Sequence, residues 1–219
     1  MMRKYKVLLS AGAGAAALGA LLLVPGQLAL SADHLDPPGR TDPAVDLTPD
    51  IPADIADHYA FYDANNLYLA MSFAGPALPG VPAFYDPNVL YTFNVSNNLP
   101  ATSADISIRF RFGPATNGTG NGISVENLPG VNGALVGPVE TILTKDGVQA
   151  YAGLRDDPFT FDSVGFRATR AMSSIQFRND RNFFGLKNDT VVVLSIPRSR
   201  VGAGPFDISV TTARAGGQL

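Results

Sequence analysis

The chain has 219 residues, with 16 Lys+Arg against 19 Asp+Glu and neither cysteine nor tryptophan. That length suits one domain whose core needs no covalent staple, and the acidic balance argues against nucleic-acid binding through counterion release. Without cysteine there is no disulfide and no lipid-attachment site, so stability must come from packing or from a bound ion.

Residues 1–32 read as a secretory signal peptide: Arg3, Lys4 and Lys6 precede the apolar run from Val7 to Val24, Pro25-Gly26 breaks it, and Ala29-Leu30-Ser31 supplies small residues for cleavage after Ser31 or Ala32. Left uncleaved, the same run would just span a bilayer. Membrane contact is expected only through this segment during export, so the chain is expected to be periplasmic, cell-surface or extracellular. Its removal leaves 13 cations against 19 acids, a net charge of −6. The acids are lopsided, 17 Asp against Glu126 and Glu140, and there are 22 Gly and 17 Pro. Aspartate, glycine and proline serve turns, caps and hard-cation sites better than helix interiors, so an all-β domain is expected.

Residues 33–53 form an acidic, proline-punctuated segment without periodicity, expected to be an extended arm, and residues 54–219 are expected to be the sandwich domain. Short helical turns are allowed near Ile55 to His58 and Ser163 to Arg167. Strand signals begin after the turn Asp63-Ala64-Asn65-Asn66, at Leu67 to Phe73, and recur at Leu90 to Val95. Ile106, Ile108, Phe110 and Phe112 alternate with Ser107, Arg109 and Arg111, the period of a strand with one buried and one wet face. Ile123 to Val125 reads as a short edge strand inside a Gly/Asn/Pro-rich stretch. Thr141 to Thr144 and Val148 to Ala152 flank Asp146-Gly147, a hairpin turn signal. Thr190 to Ile196, continuously apolar but for Ser195, reads as a strand covered on both faces. Phe206, Ile208 and Val210 mark a last strand before a polar tail, Ala213 to Leu219. The pattern predicts a single-domain, jelly-roll-like β-sandwich with long loops.

Eight aspartates fall between residues 33 and 63. Carboxylates that dense repel one another unless spread in water or gathered around a cation. Asp54 and Asp57 with the distant pair Asp156 and Asp157 therefore form a candidate site for a divalent cation such as calcium, although the spacing matches no EF-hand loop or nonapeptide repeat. The adjacent Arg155 supports another reading, an ion-pair cluster in which its guanidinium bridges to Asp54 and Asp57 and ties the arm to the sandwich, with Phe159 and Phe161 anchoring that corner to the core. Cleavage after Ser31 would also expose Ala32-Asp33-His34, whose free amine, amides and His34 imidazole suit square-planar Cu(II) or Ni(II). His58 is expected to be a half-buried structural histidine.

No nucleophile elbow, zinc-protease motif, cysteine nucleophile or phosphate loop is present in the sequence. The alternative to a binding or structural protein is a metal-dependent hydrolase that uses the aspartate cluster. Tyr62, Phe84, Tyr85 and Tyr91 are candidate stacking platforms for a surface polymer, and the arm could add to a neighbouring copy's sheet in self-association.

Four blocks carry a resemblance: His34 with Asp36 and Pro38; Asp50-Ile51-Pro52-Ala53-Asp54-Ile55-Ala56-Asp57-His58-Tyr59-Ala60-Phe61; Ala152-Gly153-Leu154-Arg155-Asp156-Asp157-Pro158-Phe159; and residues 185–197. In order, they resemble the exported bacterial family catalogued as domain of unknown function DUF4331. The resemblance implies a bacterial exported protein in which the segment around residue 54 and the Arg-Asp-Asp-Pro-Phe segment belong to one unit. It implies no activity.

Overall fold

The computed structural model describes residues 49–98, 103–116 and 118–215. They form two five-stranded sheets in which every neighbouring pair is antiparallel. In chain order the strands are β1 (Ile55–Tyr62), β2 (Asn66–Ala77), β3 (Val89–Ser96), β4 (Ile106–Pro114), β5 (Asn121–Glu126), β6 (Leu135–Pro138), β7 (Leu143–Lys145), β8 (Val148–Asp156), β9 (Asn188–Pro197) and β10 (Asp207–Arg214). One sheet has the order β1-β2-β9-β8-β7 and the other β10-β3-β4-β5-β6. Among the described residues a single α-helix, α1 (Ser163–Met172), lies between β8 and β9 in the chain. The all-β sandwich expected from composition is what the chain adopts. Among the described residues, no helix is long and apolar enough to cross a membrane.

Alternation explains the core. Leu67, Leu69, Met71 and Phe73 on β2, with Val192, Leu194 and Ile196 on β9, are almost fully buried in one shared cluster with Tyr91, Phe93 and Val95 on β3 and Ile108, Phe110 and Phe112 on β4. These residues stand at i and i+2, so one face of each strand is apolar. Phe73, Tyr91, Phe110 and Phe112 form the aromatic centre. Tyr91 and Phe110 stack at 4.9 Å, and Phe112 meets both edge-on at 5.7 and 6.0 Å. β9, the middle strand of its sheet, is not covered on both faces as its apolar run suggested: Val192, Leu194 and Ile196 are buried in the core, while Val193 and Ser195 on the outer face are half-buried. The turn before β2 is held by the Asp63 carboxylate, which accepts from the backbone N–H of Asn65 and Asn66 at 2.7 Å each.

Three further expectations are corrected. Ile55 to His58 is not helical; it opens the edge strand β1, whose outer half is exposed, so its apolar pattern is weak. The arm does not run free to residue 53. Ile51–Ala53 is a 3-10 turn whose Pro52 and Ala53 carbonyls accept from Tyr91 Oη and Thr212 Oγ1. Residues 213 and 214 are not part of a polar tail, because β10 continues to Arg214, paired in register with Val89.

Arg214 accounts for both the second and the third correction. Its guanidinium grips both oxygens of Asp50, which is 2% exposed, and also reaches Asp86 Oδ2 at 2.9 Å. The two-pronged geometry fits a planar guanidinium on a carboxylate and locks the residues before β1, the loop before β3 and the end of β10 together. Removing one member leaves a buried charge without its counterpart. Arg214→Ala should therefore lose about 3 kcal/mol of unfolding free energy in urea titration, whereas the Asp50→Asn, Arg214→Met double variant should lose less than the sum of the two single changes.

Candidate functional site

The segment Arg155-Asp156-Asp157 sits where β8 runs off the end of the sandwich, and its three charges part company there. Arg155 shares the outer face of the sheet with Tyr151, four residues earlier. Asp156 pairs in register with Asn188 at the strand's end and is exposed, while Asp157 turns back and is buried. A strand sends successive side chains to opposite faces, so these three cannot act as one cluster.

Arg155 does not bridge to Asp54 or Asp57. Its guanidinium lies 4.2 Å from the centre of the Tyr151 ring and 3.7 Å from Glu140 Oε2. Glu140 is the hub of this outer face, accepting from Tyr151 Oη, from Tyr85 Oη at 3.1 Å and from the Leu154 N–H at 2.9 Å. Burial alone would push its carboxyl up, but those three donors and Arg155 outweigh it and hold it below the usual glutamate range. The reciprocal effect falls on Tyr151, where desolvation and the hydrogen bond to Glu140 push the phenol up to about 12. Gly153 makes the arrangement possible, because a Cβ there would collide with both Tyr151 Oη and the Glu140 carboxylate. Sequence reasoning missed Glu140. The signal was its being one of only two glutamates in an aspartate-rich chain, where the longer side chain supplies reach.

The 50s segment and the Arg-Asp-Asp-Pro-Phe segment do approach one another, through a tyrosine. Tyr59 on β1 donates to Asp57 Oδ2 at 3.0 Å, and desolvation together with the charges of Asp57, Asp157 and Asp189 raises its phenol well above the ordinary range. Asp189, at the start of β9, is fully buried and also went unnoticed in the sequence, since it adjoins an apolar run. Asp54 is buried beside β2, where its carbonyl accepts from the Ala74 N–H at 2.9 Å. Among the described residues no three His, Cys, Asp or Glu side chains are grouped as metal ligands, so Asp54, Asp57, Asp156 and Asp157 do not converge on one point. His34 lies outside the described residues. His58 is exposed on β1 rather than half-buried. Of the candidate stacking platforms, Tyr91 is wholly in the core, Phe84 and Tyr85 are half-buried, and Tyr62 is exposed beneath the guanidinium of Arg198, 4.5 Å from its ring centre.

Among the described residues, residues 157–187, joining β8 to β9, are the largest feature outside the sandwich, closed at the base by the Asp157 N–H on the Lys187 carbonyl at 2.9 Å. Phe159 and Phe161 do not anchor the corner to the main core. They belong to a separate aromatic chain in which Phe184 meets Phe159 at 5.3 Å, Phe159 meets Phe161 at 6.1 Å, and Phe161 meets Phe166 at 5.4 Å and Phe177 at 6.3 Å. Asp162 organises this excursion. It caps α1 by accepting from the Gly165 N–H at 2.8 Å, accepts from the Arg178 N–H at 2.8 Å and pairs with Arg181 at 2.7 Å. Burial would raise its carboxyl, yet those bonds dominate and hold it below the usual aspartate range. Over this well-tied base, several large apolar side chains face water: Val164, Met172, Phe177, and above all Ile175 and Leu186 at 84% and 86% exposure.

The chain matches no protein-family model, and neither curated proteins nor solved structures include a match.

Two outcomes are expected. A depressed carboxyl stabilises fully above its unfolded pKa and loses that contribution as pH falls through the folded value. Asp162 should therefore hold the excursion at neutral pH and release it below the ordinary aspartate range, and Asp162→Ala should release it at neutral pH. The check is amide hydrogen exchange, with protection lost across residues 163–178 before the strands. The second outcome concerns Gly75, where a Cβ would strike the buried Asp189 carboxylate. Gly75→Ala should cost about 2 kcal/mol in urea titration.

Proposed function

We propose that this chain is an exported, non-enzymatic β-sandwich that works by binding or assembly at the bacterial cell envelope, with residues 157–187 as its working surface. In this reading the leader directs export, the sandwich is a rigid mount, and the excursion makes the contact. The resemblance to the DUF4331 family fits that setting.

The observation that carries the proposal is the pairing of order with apolar exposure. The excursion is held by the Asp162 bonds and by a continuous row of phenylalanines, yet Ile175 and Leu186 stand almost wholly in water. Apolar side chains scattered singly on a surface need no explanation, but several on one fixed segment mark an interaction site. The polar groups nearby serve internal architecture. Glu140 is spent on two tyrosines, a backbone N–H and Arg155, and Asp162 on a cap and an arginine.

Cell fractionation tests the reading. The protein should be retained with the envelope fraction, and the Met172→Ser, Ile175→Ser, Leu186→Ser triple variant should move to the soluble fraction with an unchanged thermal midpoint. A wild-type protein found only in the soluble fraction, or a triple variant retained like the wild type, would refute it.

A further inference from the structure

We infer that the outward face of α1 is a docking surface for an anionic lipid bilayer, an assignment that rests on the proposed binding role of the excursion and names what it binds. A short surface helix normally turns its apolar stripe to the protein and its charges to water. In α1 the stripe that faces the protein is Gly165, Phe166 and Thr169. Gly165 is buried and Phe166 packs on Phe161 and Phe177. Away from that stripe, by the helical repeat, Val164, Ala168 and Ala171 share a side with Arg167 along its margin, while Arg170 lies over the Phe166 ring, 5.9 Å from its centre, and Met172, seven residues after Gly165, is exposed at the last helical position. Val164 and Met172 are 50% and 67% exposed, and Ile175 continues the apolar series in the turn that follows. The helix therefore shows water an apolar strip edged with arginine and carries no acid at all.

The charges select the occupant. Among the described residues, Arg178 and Arg181 are neutralised by Asp180 and Asp162, whereas Arg167 and Arg170 make no ion pair. Residues 158–187 hold five cations, Arg167, Arg170, Arg178, Arg181 and Lys187, against Asp162 and Asp180, inside a chain whose acids outnumber its cations. A local cationic strip on an acidic protein suits an anionic counterpart that meets this face alone. Shape then favours lipid over protein. The apolar side chains project into solvent, so a protein partner would have to supply pockets for them, while a bilayer interface accommodates projecting apolar groups and places the flanking arginines among phosphates. The aromatic row beneath, Phe161, Phe166 and Phe177, holds the helix in place on the excursion.

Co-flotation of residues 33–219 with vesicles tests this directly. Vesicles of equal parts phosphatidylcholine and phosphatidylglycerol should carry the protein at least about tenfold better than phosphatidylcholine alone, and raising salt to about 0.5 M should release it. Arg167→Glu with Arg170→Glu, and separately Met172→Ser with Ile175→Ser, should each abolish flotation while far-ultraviolet dichroism and thermal midpoint stay unchanged. No flotation with the anionic vesicles, or flotation indifferent to both pairs, overturns the inference. If the vesicles are ignored but these same substitutions release the protein from the envelope fraction, the lipid assignment falls and the binding role stands. If light scattering instead shows oligomers that these substitutions dissolve, the occupant is a second copy of the chain and the lipid assignment falls.

Discussion

One ion pair sets the frame of this molecule. Arg214, almost the last described residue, closes on Asp50, among the first, and on Asp86 before β3. A buried guanidinium between two carboxylates has no good alternative arrangement, because separating it from either partner strands a charge in a poor dielectric. It therefore fixes where the chain arrives at the sandwich, where β3 begins and where β10 stops. The backbone follows: the Ala53 N–H closes on the Asp50 carbonyl, and the Ala215 N–H on that of Asn88.

The sequence reading and the structure agree where a pattern is local and diverge where it depends on a distant partner. The alternation of Ile106 to Phe112, the Asp146-Gly147 hairpin and the Asp63 turn each declare themselves within a few residues, and each takes the expected form. The segment Leu135–Pro138 escaped notice because four residues carrying one glycine and one proline hold too little pattern to register. Arg155 shows the deeper limit. Its sequence neighbours announced a salt bridge, and the residue that ties the 50s segment down turned out to be Arg214, more than 150 positions from its partner. Nothing about an arginine near a polar tail reveals which aspartate it will meet.

The candidate site divides in the same way. The corner around Asp157 was legible as a place where charge meets aromatic residues, since a strand cannot end in Arg-Asp-Asp-Pro-Phe without some arrangement for each side chain. What the arrangement was could not be read. Glu140 reaches Tyr151 and Leu154 through the pairing of separate segments, and Asp189 joins Asp57 and Asp157 around Tyr59 only once β1, β2 and β9 lie side by side. Phenylalanine was read as core, which was half right. The row from Phe159 to Phe184 makes a small interior of its own, separate from the one between the sheets.

That separation has a consequence for how such a protein can change. The backbone bond from Asp157 to Lys187 closes the excursion at its base, so the two strands it joins are already in register before the excursion begins. Its phenylalanines pack on one another and its cap is supplied from within. A segment of this kind behaves as a cassette: its outward face, where Val164, Met172, Ile175 and Leu186 stand in water, can be rewritten for a different surface while the sandwich goes on folding as before.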